Sequence, residues 1–265
     1  MMQTRIDQRQ ETQWLSKVPE ATAVFWAVKI LATTVGETGG DALSMTLKLG
    51  YAVATFVFLA FFAVTLTLQV RAERYHALTY WAVVIATTTV GTTTSDFLDR
   101  TVGLGYVASS AILFVAVLVV LAAWRAVSGR IEYAHIVRPQ DEVFYWLTIL
   151  VANTLGTALG DFAADSLGLG FEGGAALFAG LLLIVVLVWR FARGVPIAVL
   201  FWAAYVLTRP LGATLGDTVT KPLAQGGLAM DRISASLAIL AAMAVILVVA
   251  RLASGKARLA ASSAD

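Results

Sequence analysis

The 265-residue chain contains no cysteine. That excludes disulfides and thiolate-bound metals. Histidine is nearly absent too. His76 and His135 stand in polar stretches between apolar runs and lack metal-ligand spacing, which argues against copper or zinc. Charge is scarce: Asp, Glu, Lys and Arg make up 14% of the chain, against about a quarter in a soluble domain. The net charge of +2 says nothing about nucleic acid, and no nucleic-acid partner is expected. Residues 1–20 are polar and lack an early apolar core, so they read as a short cytoplasmic arm rather than a signal peptide. No nucleophile elbow, Walker loop, HExxH or CxxC occurs, and the chain is not expected to be an enzyme.

Apolar sequence fills the space left by these absences. Hydrophobic residues make up 59% of the chain, and its mean hydropathy is +0.80. A water-soluble protein of this size could not bury so much apolar surface. The composition therefore indicates an integral membrane protein.

Four segments align without gaps on one aspartate: TTVGETGGD ending at Asp41, TTVGTTTSD at Asp96, NTLGTALGD at Asp161 and RPLGATLGD at Asp217. Five residues before each stands Gly36, Gly91, Gly156 or Gly212; immediately before stands Gly40, Ser95, Gly160 or Gly216. Fifteen residues before each stands Trp26, Trp81, Trp146 or Trp202, preceded by Phe25, Tyr80, Tyr145 or Phe201. Nine residues after each stands Gly50, Gly105, Gly170 or Gly226. Tyr51, Tyr106 and Phe171 follow the first three, whereas Gly227 follows the fourth.

Each repeat reads as two helices of about 20 residues, enough to cross the hydrocarbon core. The expected fold is thus an all-α integral membrane protein of about eight transmembrane helices. Four tandem two-helix parallel repeats would be arranged with pseudo-fourfold symmetry about the membrane normal. The repeats span about 21–75, 76–130, 141–195 and 196–252, and a cytoplasmic tail covers 253–265. The first helices, which hold the glycines, threonines and acids, are expected nearer the axis, with the second helices toward lipid. Thirteen Lys and Arg residues fall on the side of the N-terminal arm, the repeat junctions and the tail; four, Lys48, Arg100, Lys221 and Arg232, fall opposite. Both termini are therefore expected in the cytoplasm. Lys29 and Arg209 lie inside helices, and Lys29 is expected to snorkel.

From Trp to Asp is about 22 Å of helix, which places the aspartates within the hydrocarbon slab if the Trp marks an interface. A carboxylate there costs about 2.5–3.5 kcal/mol unless it faces protein or water. Two readings stay open. Either each Asp caps the turn after its helix, or Asp41, Asp96, Asp161 and Asp217 converge and bind cations, with Glu37 as an extra intramembrane acid. Thr34, Thr89 and Thr154, seven residues before the Asp, suggest a polar pathway, as does Asn153, which stands with Thr33 and Thr88 eight before it. Alternatively such side chains bond their own helix. In the fourth repeat Arg209 and Pro210 replace this pair. A buried Arg209 needs a carboxylate, most naturally Glu37 or one of the aspartates, and Pro210 is expected to kink or open its helix.

The four Gly–Asp segments resemble a bacterial membrane-protein family of four tandem repeats, domain-of-unknown-function family 347, over roughly residues 20–255. The resemblance implies residence in the bacterial inner membrane and supplies no substrate. The function expected from the residues is transport of a cation, foremost a hard divalent metal such as manganese or magnesium, with protons as a natural coupling ion. The alternatives are a non-transporting scaffold or sensor and a carrier of small organic cations. The expected partners are the lipid bilayer and the transported cation.

Overall fold

The computed structural model describes residues 17–134 and 136–262, with side chains through Ala253. Most of the expected N-terminal arm, His135 and the end of the expected tail lie outside the described residues. The described residues form eight long helices and no strand. They are α1 (Ala23–Asp41), α2 (Gly50–Arg71), α3 (Ala77–Asp96), α4 (Gly105–Ser128), α5 (Pro139–Asp161), α6 (Gly170–Phe191), α7 (Ile197–Thr220) and α8 (Arg232–Ser262).

The first helices of the repeats, α1, α3, α5 and α7, each pack on the next, and α7 packs on α1. They form a closed ring. Each second helix packs outside the ring on the first helix of the following repeat: α2 on α3, α4 on α5, α6 on α7, and α8 back on α1. No repeat is therefore a self-contained hairpin. The last helix completes the circle by covering the first.

The two glycine-type positions explain the ring. At the first, a Cβ on Gly36 would strike the Thr88 side chain, on Gly91 the backbone of Asn153, on Gly156 the Arg209 stem and on Gly212 Thr33. Each partner stands eight residues before the Asp of the next helix, and the fourth helix wraps to the first. At the second position Gly40 meets Thr92, Gly160 meets Ala213 and Gly216 meets Glu37, all four residues before the next Asp. Small residues four apart thus give one smooth face per helix, and backbones approach there more closely than side chains permit.

Three of the inner helices end in a single π turn immediately after their Asp: Ala42–Thr46, Phe97–Thr101 and Phe162–Ser166. Gly50, Gly105 and Gly170 then open the outer helices with φ of 73°, 72° and 67°, a left-handed conformation that costs glycine little. The fourth repeat departs. α7 runs three residues beyond Asp217, and a 3-10 turn, Leu223–Gln225, precedes α8. Gly227 explains the missing aromatic: its Cα lies so near the Lys221 backbone that a Cβ would overlap the Lys221 carbonyl.

Six helices, α2 and α4 to α8, are long and apolar enough to cross a membrane; α1 and α3 are not. The shortfall has a local cause. α1 carries Lys29, Glu37 and Asp41, and α3 carries a run of threonines, and these side chains are buried against other inner helices. Outer helices show the opposite pattern. Phe56, Val107, Leu183 and Leu237 are more than half exposed, and only a few residues of α2 and α6 are buried. An apolar outer surface around a polar interior is what a lipid environment permits.

Candidate functional site

Counting back from each Asp in steps of four gives one row per inner helix. The rows are Phe25–Lys29–Thr33–Glu37–Asp41, Tyr80–Val84–Thr88–Thr92–Asp96, Tyr145–Ile149–Asn153–Thr157–Asp161 and Phe201–Tyr205–Arg209–Ala213–Asp217. Every residue in them is buried. Aromatics begin each row and a carboxylate ends it, so the ring has an aromatic end and an acidic end.

At the aromatic end the repeated aromatic–Trp pairs form one cluster. Phe25 touches Trp81 and Phe201, Tyr80 touches Trp146, and Tyr145 touches Trp202. The Tyr80 and Tyr145 hydroxyls are hydrogen-bonded at 2.7 Å. Trp81, Trp146 and Trp202 are buried between helices and Trp26 partly so, which makes the Trp series a packing layer.

At the acidic end none of the four repeated aspartates caps a helix. Asp41, Asp96 and Asp161 have helical backbone and make no capping hydrogen bond to the π turns they precede, and Asp217 lies inside α7. Basic residues meet them instead, in two pairs. Lys221 Nζ lies 3.0 Å from both Asp41 Oδ2 and Asp217 Oδ1. Arg100 donates from Nε to Asp96 Oδ1 at 2.9 Å and faces Asp161 Oδ2 at 3.7 Å. Each basic residue stands four positions after the Asp of its own repeat and reaches the Asp of the next. The corresponding residues of the first and third repeats are Met45 and Asp165, so the acidic end alternates with a twofold rhythm. Arg232 adds a contact to Asp41 at 3.4 Å.

Lys221 sits just past the end of α7. Burial disfavours its charge, but Asp217, Asp41 and Glu37 outweigh that penalty and hold the ammonium well above the ordinary lysine range. It is a tethered cation seated among three acids. Glu37, Asp41 and Asp217 each place one carboxylate oxygen within 4.8 Å of the other two, and all three are buried.

One layer deeper, Arg209 is fully buried and its Nη2 lies within hydrogen-bond distance of Glu37 Oε2 at 2.9 Å, Thr157 Oγ1 at 2.7 Å and Thr92 Oγ1, its two hydrogens shared among the three acceptors. One side chain thus touches the other three inner helices. The carboxylate that a buried Arg209 requires is Glu37. Pro210 sits within a continuous α7, its ring against Gly156.

Thr34, Thr89 and Thr154 are buried, but their hydroxyls bond carbonyls of their own helices, Ile30, Ile85 and Leu150. The set one residue earlier crosses between helices: Thr33 to the Thr208 carbonyl, Thr88 to the Ala32 carbonyl, and Asn153 Nδ2 to Thr87 Oγ1 at 3.0 Å. Lys29 does not snorkel. It is fully buried, with Nζ 4.2 Å from the centre of the Tyr205 ring and 3.5 Å from Asn153 Oδ1. The closed ring explains this, because α1 runs between α3 and α7 and leaves the lysine stem no route to an interface.

With this geometry in place, comparison with known proteins decides the kinship. The family described as Repeat of Unknown Function (DUF347) matches residues 24–75, 79–130, 144–194 and 200–255. The chain belongs to this family. The four matched repeats coincide with the four inner–outer helix pairs, so the family's unit is one ring helix with the outer helix that covers its neighbour. No curated protein and no solved structure matches the chain.

Sequence reasoning placed Lys221, Arg100 and Arg232 among outer-loop cations and missed them as partners of the aspartates. For two of them a signal was present. Lys221 and Arg100 follow Asp217 and Asp96 by four residues, the spacing of neighbours on one helix face. Lys29 carried no such signal, because its contacts come from α5 and α7.

Proposed function

We propose that this protein is an integral membrane carrier whose eight helices all cross the bilayer, with pseudo-fourfold arrangement about the membrane normal. Its cargo is a hard cation, of the divalent class to which manganese and magnesium belong. One observation carries the reading: three buried carboxylates from two helices lie within 4.8 Å of one another, and a lysine ammonium is seated at 3.0 Å from two of them. An internal cation occupies the place that an external one would take. Hard divalent ions select oxygen ligands of this kind.

Charge supports a divalent ion. With Lys221 and the rim residue Arg232 withdrawn, Glu37, Asp41 and Asp217 supply three negative charges. Arg209 and one divalent ion balance them. With the two basic residues in place the same acids are balanced without the ion. Exchange between these states gives a cation-free form that does not strand carboxylates in a low-dielectric interior. Proton coupling extends this scheme, since a carboxylate that gains a proton also releases the cation.

The test uses purified protein, with manganese binding by calorimetry and manganese flux in proteoliposomes. Asp41→Asn and Asp217→Asn keep shape but remove an anionic ligand; each is expected to abolish binding and flux while expression is retained. Lys221→Gln is expected to tighten manganese binding by removing the internal competitor. Wild-type flux in both Asn variants would defeat the reading. Competition from the tethered lysine would be refuted by unchanged affinity in Lys221→Gln.

One observation favours a second reading, a non-transporting scaffold. Lys221, Arg100 and Arg209 join the inner helices pairwise or more, and ion pairs alone would lock the ring. On that reading the wild type binds no manganese, and Lys221→Gln lowers stability without conferring binding.

On this reading the carrier resides in the bacterial inner membrane, as the family resemblance implies, and the thirteen-to-four division of basic residues favours cytoplasmic termini. Reporter fusions at the C-terminus are expected to give a cytoplasmic signal. A periplasmic signal would reverse the orientation or require an odd number of crossings.

A further inference from the structure

A second cluster lies deeper in the ring, and its chemistry is opposite to that of the acidic end. Lys29 and Arg209 are both fully buried. Their surroundings overlap. Lys29 Nζ reaches Asn153 Oδ1 on α5 and the ring of Tyr205 on α7. Arg209 stands one turn after Tyr205, and its stem packs on Gly156, one turn after Asn153.

Donors outnumber acceptors here. Arg209 spends Nη2 on Glu37 and two threonines, while its Nε and Nη1 meet no acceptor among the described residues. The Tyr205 hydroxyl is also unpartnered and fully buried. Asn153 turns its amide nitrogen to Thr87, which leaves one side-chain oxygen for Lys29. Charge is unpaired locally in the same direction. Glu37 is met by Arg209, and no salt bridge among the described residues includes Lys29.

Buried donors without acceptors are costly, and an unpaired buried cation costs more. Loss of the Lys29 proton would remove one charge but leave the free guanidinium and tyrosine donors unmatched. A small anion satisfies both deficits. We infer that Lys29, Arg209 and Tyr205 form a site inside the ring for a small anion, of the halide class that includes chloride, next to the acidic end. The inference stands on different residues from the cation site, except for Arg209, and does not require that the protein be a carrier.

Protein expressed and purified with bromide replacing chloride provides the direct test. Crystals are expected to show an anomalous bromide peak between Lys29 and Arg209. In solution, wild-type protein is expected to melt at a higher temperature in chloride than in gluconate at equal ionic strength, with a saturating dependence. Lys29→Gln is expected to lose the chloride-specific increment. Formate serves as a small-carboxylate control, and stabilisation by formate but not chloride would overturn the halide assignment. Absence of bromide density at Lys29 in the wild type overturns the site whether or not the variant folds, and so does a chloride increment retained in Lys29→Gln. Manganese binding by the same wild-type preparation reports separately on the cation site, so either proposal can fail alone.

Discussion

Arg209→Met is expected to destabilise the protein by about 3–5 kcal/mol, the usual cost of removing one member of a buried ion pair. The methionine fills part of the arginine stem, so the loss reports mainly on the guanidinium. That group contacts Glu37, Thr92 and Thr157 together, and so ties α7 to α1, α3 and α5 at one point. Removing it leaves Glu37 charged and buried one layer from Asp41 and Asp217, where the like charges repel. Glu37→Gln added to Arg209→Met is therefore expected to recover a large part of the loss. The measurement is a double-mutant cycle on thermal or denaturant unfolding in detergent, with coupling toward the upper end of the ~0.5–3 kcal/mol range for residues in contact. Additive single effects would remove the Glu37–Arg209 pair as the lock of the ring.

The second large effect is expected at the helix seams. Gly212→Val should prevent assembly or cost more than the ~1–3 kcal/mol typical of overpacking. A Cβ at Gly212 would fall 2.9 Å from the Thr33 backbone carbon, and the backbone cannot rotate aside as a side chain can. This seam joins α7 to α1 and closes the ring, so no other contact between inner helices can replace it. Gly180→Ala is the control: Gly180 lies in outer helix α6 with nothing within 4 Å of the added methyl. It is expected to be neutral or to gain up to about 1 kcal/mol from helix propensity. Unfolding of the purified variants decides the matter. Equal stability in Gly212→Val and Gly180→Ala would show that the glycine positions do not set the helix approach.

The two predictions probe different kinds of closure. Arg209 spans the interior of the ring, whereas Gly212 lies on its seam. A scaffold and a carrier both need each of them, so neither outcome bears on cargo; the Asp→Asn and Lys221→Gln measurements serve that purpose.

Much of the architecture was legible because repetition is written in the chain. Gly36, Gly91, Gly156 and Gly212 recur at one offset from the aspartates, and the offset of four to Gly40, Ser95, Gly160 and Gly216 marks a smooth helix face by geometry alone. The eight helices, the inner placement of the acidic ones and the need of Arg209 for a carboxylate followed from local pattern and from the cost of buried charge. Beyond the Glu37–Arg209 pair, partners on other helices were not legible. A periodic row shows which residues share a face but not which helix that face meets. The closed ring depends on α7 returning to α1, a contact between residues about 175 positions apart, as in Thr33 to Thr208. Only that closure carries Lys221 to Asp41 and encloses Lys29 instead of letting it snorkel. The sequence by itself determined the repeated unit and its polarity, because both follow from short-range periodicity. The tertiary structure decided how charges pair, because pairing depends on which helices become neighbours when the circle closes.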